Sequence, residues 1–143
     1  MTDEIRDART VSASMHGRDR VAHAMGMAID AVAVGSATVS MTVADEMLNG
    51  LGVCHGGVLF TLADTAMAHA SNAGDERTLS TTASIEWIRP AMVGERLRAV
   101  SAVVERRGRN TIHDIVVTNE AGDTVALVRG QTLTLGGRVT QEG

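Results

Sequence analysis

Large rings are almost missing from this chain, which has no Tyr, one Phe (Phe60) and one Trp (Trp87). Val, Ala, Leu, Ile and eight Met must therefore fill the interior, which predicts a finely divided and adaptable core. Cysteine is nearly missing too. The lone Cys54 cannot form an internal disulfide, and no Cys/His grouping has metal-ligand spacing, so a disulfide framework and structural zinc are excluded and no metal is expected. No uninterrupted apolar run approaches the ~20 residues of a membrane helix. The first residues, Met1 to Arg9, are charged and lack the apolar segment of a secretory signal. A cytoplasmic protein with no membrane partner is the expectation. Charge of one sign is not concentrated either: a net −4 supplies no field that would gather nucleic acid, so that partner is not expected.

What remains is an ordinary globular composition, 44% hydrophobic over 143 residues, enough for one domain (1–143) and short of two. A helical segment is expected over 1–25, with weak helices at Ile5 to Met15 and Asp19 to Met25. Met27 to Val34 and Ala37 to Val43 read as a hairpin turning at Gly35-Ser36. Asp45 to Val53 reads as a loop leading into a central helix that stops near Asn72-Ala73-Gly74. Four β-branched segments follow, Thr78 to Ile88, Arg96 to Arg106, Thr111 to Asn119 and Thr124 to Leu135, separated by Pro90 to Gly94, Arg107 to Asn110 and Ala121 to Asp123. They predict an α+β protein in which a long antiparallel meander wraps around one buried helix. Residues 138–143 read as a mobile tail.

The central helix carries the chemistry. Val58, Leu59, Phe60, Leu62, Ala63, Ala66, Met67, Ala68 and Ala70 occupy every side of a helical wheel, the pattern of an enclosed helix, yet one carboxylate, Asp64, sits at its middle. His55-Gly56-Gly57 opens it, and the two glycines carry no capping side chain, so the first N–H groups are expected to stay free for a carbonyl or an anion. Gly57, Thr61, Asp64, Thr65, Ala68 and Asn72 fall on one polar stripe, since seven residues make nearly two turns. At ~1.5 Å rise per residue the Gly57 amide and Asp64 stand roughly 10 Å apart, too far to reach one reacting carbon. Two helices packed antiparallel across a two-fold axis bring Gly57 of one copy opposite Asp64 of the other, which predicts a homodimer with shared sites. Cys54 reads as a small buried side chain, and His16, His23, His69 and His113 as structural or exposed.

The run Leu48-Asn49-Gly50, Cys54-His55-Gly56-Gly57 and Phe60-Thr61-Leu62-Ala63-Asp64, with Ile88-Arg89-Pro90 and Val125 to Gly130 behind it, resembles the hotdog-fold acyl-CoA thioesterases of the phenylacetic-acid-degradation type. The resemblance spans about Met25 to Gly137. It implies hydrolysis of an acyl-CoA by homodimers that often pair into tetramers, without an organic cofactor. The residue matching Gly57 then donates the oxyanion N–H, and Asp64 of the partner subunit activates water or attacks the thioester. By the same likeness Asn49 and His55 line the site, and a hydroxyl of the third strand, from Ser80, Thr81 or Thr82 with Thr82 preferred, assists the carboxylate. Gly56, Thr61, Thr65 and Ala68 are expected at the substrate, with Asn72 and Trp87 beside an acyl pocket. Arg89, Pro90, Arg107, Gly108, Arg109 and Asn110 are candidates for the CoA phosphates, since arginines and turn amides suit phosphate. Two rival readings share the fold. A hydratase or dehydratase is disfavoured because the His-Phe-Pro run is absent, and a non-catalytic acyl-CoA-binding module would leave Asp64 without a purpose. The acyl group stays open among aryl-acetyl, hydroxybenzoyl and medium-chain types.

Overall fold

A computed structural model describes residues 7–140. Two short helices come first, α1 (Ala8–Arg18) and α2 (Arg20–Ala24), each started by an aspartate whose carboxylate accepts a first-turn N–H. Asp7 takes the Thr10 amide at 2.8 Å and Asp19 the Ala22 amide at 3.0 Å. The expected start at Ile5 lies outside the described residues. A hairpin follows, β1 (Ala28–Ala33) and β2 (Ser36–Thr42), turning through Gly35 at φ 87°, a conformation glycine adopts without strain. After the central helix α3 (Gly56–Asn72) come β3 (Thr78–Trp87), β4 (Arg96–Arg107), β5 (Asn110–Thr118) and β6 (Thr124–Thr134).

All six strands pair antiparallel in one sheet, in the order β1-β2-β4-β5-β6-β3. The expected four-strand meander is therefore corrected: β4-β5-β6 is a meander, but β3 lies at the far edge beside β6. The helix end is what sends it there. Asn72 holds Thr78 with both halves of its carboxamide, accepting from the Thr78 amide at 2.9 Å and donating to its carbonyl at 3.0 Å, so β3 starts alongside α3. The chain then passes beneath the start of the helix, where the Cys54 amide bonds the Ala91 carbonyl, before β4 joins β2. That eight-residue connection reads locally as a turn and globally as a crossover.

The sheet curls around α3. Val39 and Met41 of β2, Leu97 and Ala99 of β4, Ile115 and Val117 of β5, and Ala126 and Val128 of β6 meet Leu59, Leu62, Ala63, Ala66 and Met67 of the helix in one buried core. No Phe or Trp is among them, since Phe60 is only half-buried and Trp87 is exposed. Gly130 marks the closest approach, because a Cβ there would overlap the Met67 Sδ atom. Gly130→Val is thus expected to lower stability by about 1–3 kcal/mol through overpacking, read as a fall in the midpoint of denaturant unfolding with unchanged slope.

The C-terminal segment is anchored where a mobile tail was expected. Asp75, 6% exposed and at φ 63°, accepts from Arg138 Nε at 3.0 Å and from the Thr140 amide and hydroxyl at 3.0 and 2.9 Å. Burial alone would raise the Asp75 pKa, but these donors outweigh it and hold the carboxyl below its ordinary value. Arg18 adds a bond to the Val139 carbonyl at 2.9 Å, tying α1 to the same strap. Residues 141–143, the rest of the expected tail, lie outside the described residues. No described helix is long and apolar enough to cross a membrane.

Candidate active site

The approach to α3 is a pinned loop. Asn49 turns its side-chain oxygen back on the Leu51 and Val53 amides, at 2.9 and 3.3 Å, and Gly52 completes the turn at φ 78°. Leu48 bridges Cys54, and the His55 amide bonds the Met47 carbonyl at 2.8 Å. Asn49 thus shapes the loop within one chain. Burial pushes the Cys54 thiol pKa up, the setting of an unreactive side chain.

The helix start is not bare. His55 is its N-cap residue, and the ring Nδ1 accepts the Gly57 amide at 3.1 Å. Nδ1 hangs two bonds beyond Cβ, as the oxygen of an asparagine cap does, so an unprotonated Nδ1 can fill the same place. The expectation of a free Gly57 N–H is corrected accordingly. His55 and Gly57 are both exposed, and a Cβ on Gly57 would stand 3.4 Å from Nδ1. Gly56 is glycine for a different reason: a Cβ there would meet the Trp87 ring at 3.0 Å. The indole N–H donates to the Gly56 carbonyl at 3.2 Å.

Along the helix the expected stripe splits. Gly57 and Asp64 are exposed and Thr61 and Ala68 half-buried, whereas Thr65 and Asn72 are only 7% and 6% exposed. One residue turns an α-helix by about 100°, enough to carry Thr65 from the open side to the packed one. Thr61 and Thr65 donate their hydroxyls to the carbonyls four residues back, at 2.9 and 2.8 Å. Asn72 closes the turn to β3 instead of lining a pocket. One side of the helix therefore lies open within the chain, where the apolar wheel had suggested full enclosure.

Asp64 faces β3, and Ser80 Oγ donates to its Oδ1 at 3.1 Å. A bulge between Ser80 and Thr82 reverses the alternation of the strand. Ser80 pairs with the buried Thr132 on the concave side, while Thr82 pairs with Gln131 and Thr81 donates to the Gln131 carbonyl at 3.1 Å. Within one chain the hydroxyl on the carboxylate is thus Ser80 rather than Thr82. Gly57, Thr61, Asp64, Ser80 and the expected Thr82 are among the residues lining an open cleft of about 450 Å³ between α3 and β3.

The phosphate candidates separate. Arg89 and Pro90 follow Trp87 at the helix start, both exposed, with Arg89 3.9 Å from Asp123. Arg107, Gly108, Arg109 and Asn110 form the β4–β5 turn at the other end of the sheet, where Asn110 accepts from Gln131 at 3.1 Å. Trp87 pairs with Ala126 and Asn110 with Leu133, so seven residues of β6, roughly 23 Å, lie between the two groups. Among the described residues no three metal-type ligands come together. Of the histidines away from the site, His69 and His113 are buried, His16 is half-buried and His23 is exposed. His69 Nδ1 lies 2.6 Å from Ser12 Oγ, His16 stacks on His23, and His113 Nε2 lies 3.0 Å from Thr132 Oγ1.

The residue that sequence reading underrated is Trp87. Its pairing with the Gly56 carbonyl depends on β3 crossing the helix start, which no local pattern announces.

The sequence and the fold are similar to those of known proteins. Residues 51–126 match the thioesterase superfamily model. The acyl-coenzyme A thioesterase PaaI of Escherichia coli is 41% identical over 130 residues, covering 90% of this chain and 92% of that protein. The solved E. coli PaaI protein from the phenylacetic acid degradation operon superposes with a TM-score of 0.90 at 37% identity, covering 92% of this chain and 95% of that one. A Streptococcus mutans protein, smu.793, solved bound to acetyl-CoA, superposes with a TM-score of 0.75 at 25% identity over 78% of this chain and 90% of that one. Fold, motif spacing and relatives agree: the chain belongs to the thioesterase superfamily, as a hotdog-fold protein of the phenylacetic-acid-degradation acyl-CoA thioesterase type.

Proposed function

We propose that the protein hydrolyses an acyl-CoA thioester to free acid and CoA at sites shared by two copies of the chain. The observation that carries this reading is Asp64, the one carboxylate of a largely apolar helix, exposed on a cleft some seven residues from the Gly57 amide. A second copy with its helix antiparallel would set Gly57 against Asp64 of the partner subunit and cover the open side of α3. The outer edge of β3, unpaired among the described residues and carrying the 61% exposed Leu79, supports such a partner.

In the reaction the thioester carbonyl takes over the Gly57 N–H from the His55 ring. As the carbon is attacked, negative charge grows on that oxygen, and one aligned donor in a dry site stabilises it by ~3 kcal/mol. Asp64 takes a proton from the attacking water, or attacks first to form an anhydride that water then opens. The C–S bond breaks and CoA leaves as thiolate. No cofactor is needed. Ser80 steadies the carboxylate by its hydrogen bond, and Arg89 stands nearest the helix start for a phosphate. The in-register exposed row Val100, Val116 and Leu127 on the outer face of the sheet supports pairing of dimers into tetramers. The origin of the E. coli relative in a phenylacetic acid degradation operon favours an aryl-acetyl substrate.

Release of free CoA thiol from a panel of aryl and alkyl acyl-CoAs tests the reading. Turnover is expected, strongest with aryl-acetyl chains, and Gly57→Val should lower kcat/KM by about 100-fold or more through loss of the oxyanion contact. A Gly57→Val enzyme of undiminished rate removes that amide from the mechanism. Tight acyl-CoA binding with no thiol release from any substrate indicates a binding module.

A further inference from the structure

The peptide unit between Gly56 and Gly57 is held from both ends. Its N–H points at His55 Nδ1 (3.1 Å) and its carbonyl accepts the Trp87 indole N–H (3.2 Å). The ring lies so close that a Cβ on Gly56 would stand 3.0 Å from its atoms, yet Trp87 as a whole is 55% exposed. A side chain this large contributes little packing when more than half of it faces solvent. Its specific contact is with the one peptide whose N–H the thioesterase reading uses.

We propose that Trp87 is a positioning residue for the oxyanion donor: its indole N–H orients the Gly56–Gly57 peptide and, by drawing density onto the carbonyl, makes the Gly57 N–H a stronger donor. Hydrogen bonds that share one amide reinforce each other, the carbonyl of the unit polarising as its N–H is used. The benefit grows with charge on the acceptor. A ground-state carbonyl gains little and the developing oxyanion gains more, so the effect falls on kcat rather than on binding. Gly56 is required because only a residue without Cβ admits the ring to hydrogen-bond range. The inference rests on the thioesterase reading and adds to it a residue that acts on the Gly57 N–H through the Gly56 carbonyl.

Trp87 is the only tryptophan and the chain has no tyrosine, which makes the test unusually clean. Trp87→Phe keeps a ring and removes the N–H. Biosynthetic replacement of tryptophan by its benzothienyl analogue exchanges N–H for sulfur at this one position with almost no change of shape, so the measurement stands even where the Phe variant folds poorly. Both are expected to lower kcat roughly fivefold to tenfold with KM within about twofold, the scale of one neutral hydrogen bond. Both should also shift the Gly57 amide proton upfield in the NMR spectrum of the free protein, a readout that packing loss alone does not predict. An active wild type whose sulfur analogue keeps both kcat and the Gly57 amide shift overturns the role of Trp87 and leaves the thioesterase reading intact. A wild type that hydrolyses no acyl-CoA overturns the thioesterase reading itself, whatever the amide shift does.

Discussion

Asp64→Asn is expected to lower thioester turnover by about 10²–10⁴-fold while leaving the fold in place, because it removes basicity and nucleophilicity but keeps shape. The side chain is exposed, and its hydrogen bond is accepted from Ser80, which an asparagine oxygen accepts equally well. The stability change should therefore stay within about 0.5 kcal/mol, the range of surface substitutions. Steady-state kinetics beside a denaturant melt separates the two effects. A variant that turns over at the wild-type rate excludes Asp64 as base and as nucleophile. Loss of rate accompanied by unfolding would mean that the carboxylate is structural after all.

Stability should fall by roughly 2 kcal/mol between pH 7 and pH 5, and His69 is the main reason. The ring is 1% exposed, and burial, assisted by the nearby His16 and opposed by Asp19, holds its pKa down to about 4 from 6.5. The unfolded chain therefore takes up a proton near pH 6.5 and the folded chain does not. Above 6.5 neither form of the group is protonated and nothing changes. Between 6.5 and about 4 each pH unit costs about 1.4 kcal/mol, and below 4 the loss is complete. His113, whose pKa burial also lowers, pulls in the same direction. Asp75 is of opposite type: its depressed pKa adds stability at neutral pH that disappears only as the pH falls through the carboxylate range. Denaturant melts across this range, repeated with His69→Gln, provide the check, and a variant with the same slope as wild type would exonerate the ring. The functional consequence is direct. His69 lies on the helix that carries Asp64, so acid loss of activity must be read against acid loss of structure.

Much of this molecule is written locally. Periodicity placed every strand within a residue or two, and the Asn72-Ala73-Gly74 stop ended α3 where the structure ends it. The cluster His55-Gly56-Gly57 with Asp64 was legible because chemistry at a helix start needs small residues, and small residues stand out in an apolar run. The cap supplied by His55 was not legible, since histidine is rarely read as a capping residue. Nor was the Ser80–Asp64 pairing. Three hydroxyls in a row are equivalent until a bulge at Thr81 decides which of them faces inward.

By itself, then, the sequence determined which residues form helix and strand, where the apolar core lies, and that one carboxylate sits on the helix meant to be buried. These depend on spacing along the chain, and spacing is all that a hydrophobic pattern needs. Only the tertiary structure decided that β3 returns to the far edge beside β6, that Arg138 to Thr140 close over Asp75, and that Trp87 reaches the Gly56 carbonyl. Each of these joins groups far apart in sequence, where contact is set by the packing of the helix on the curved sheet and not by any preference of the residues themselves.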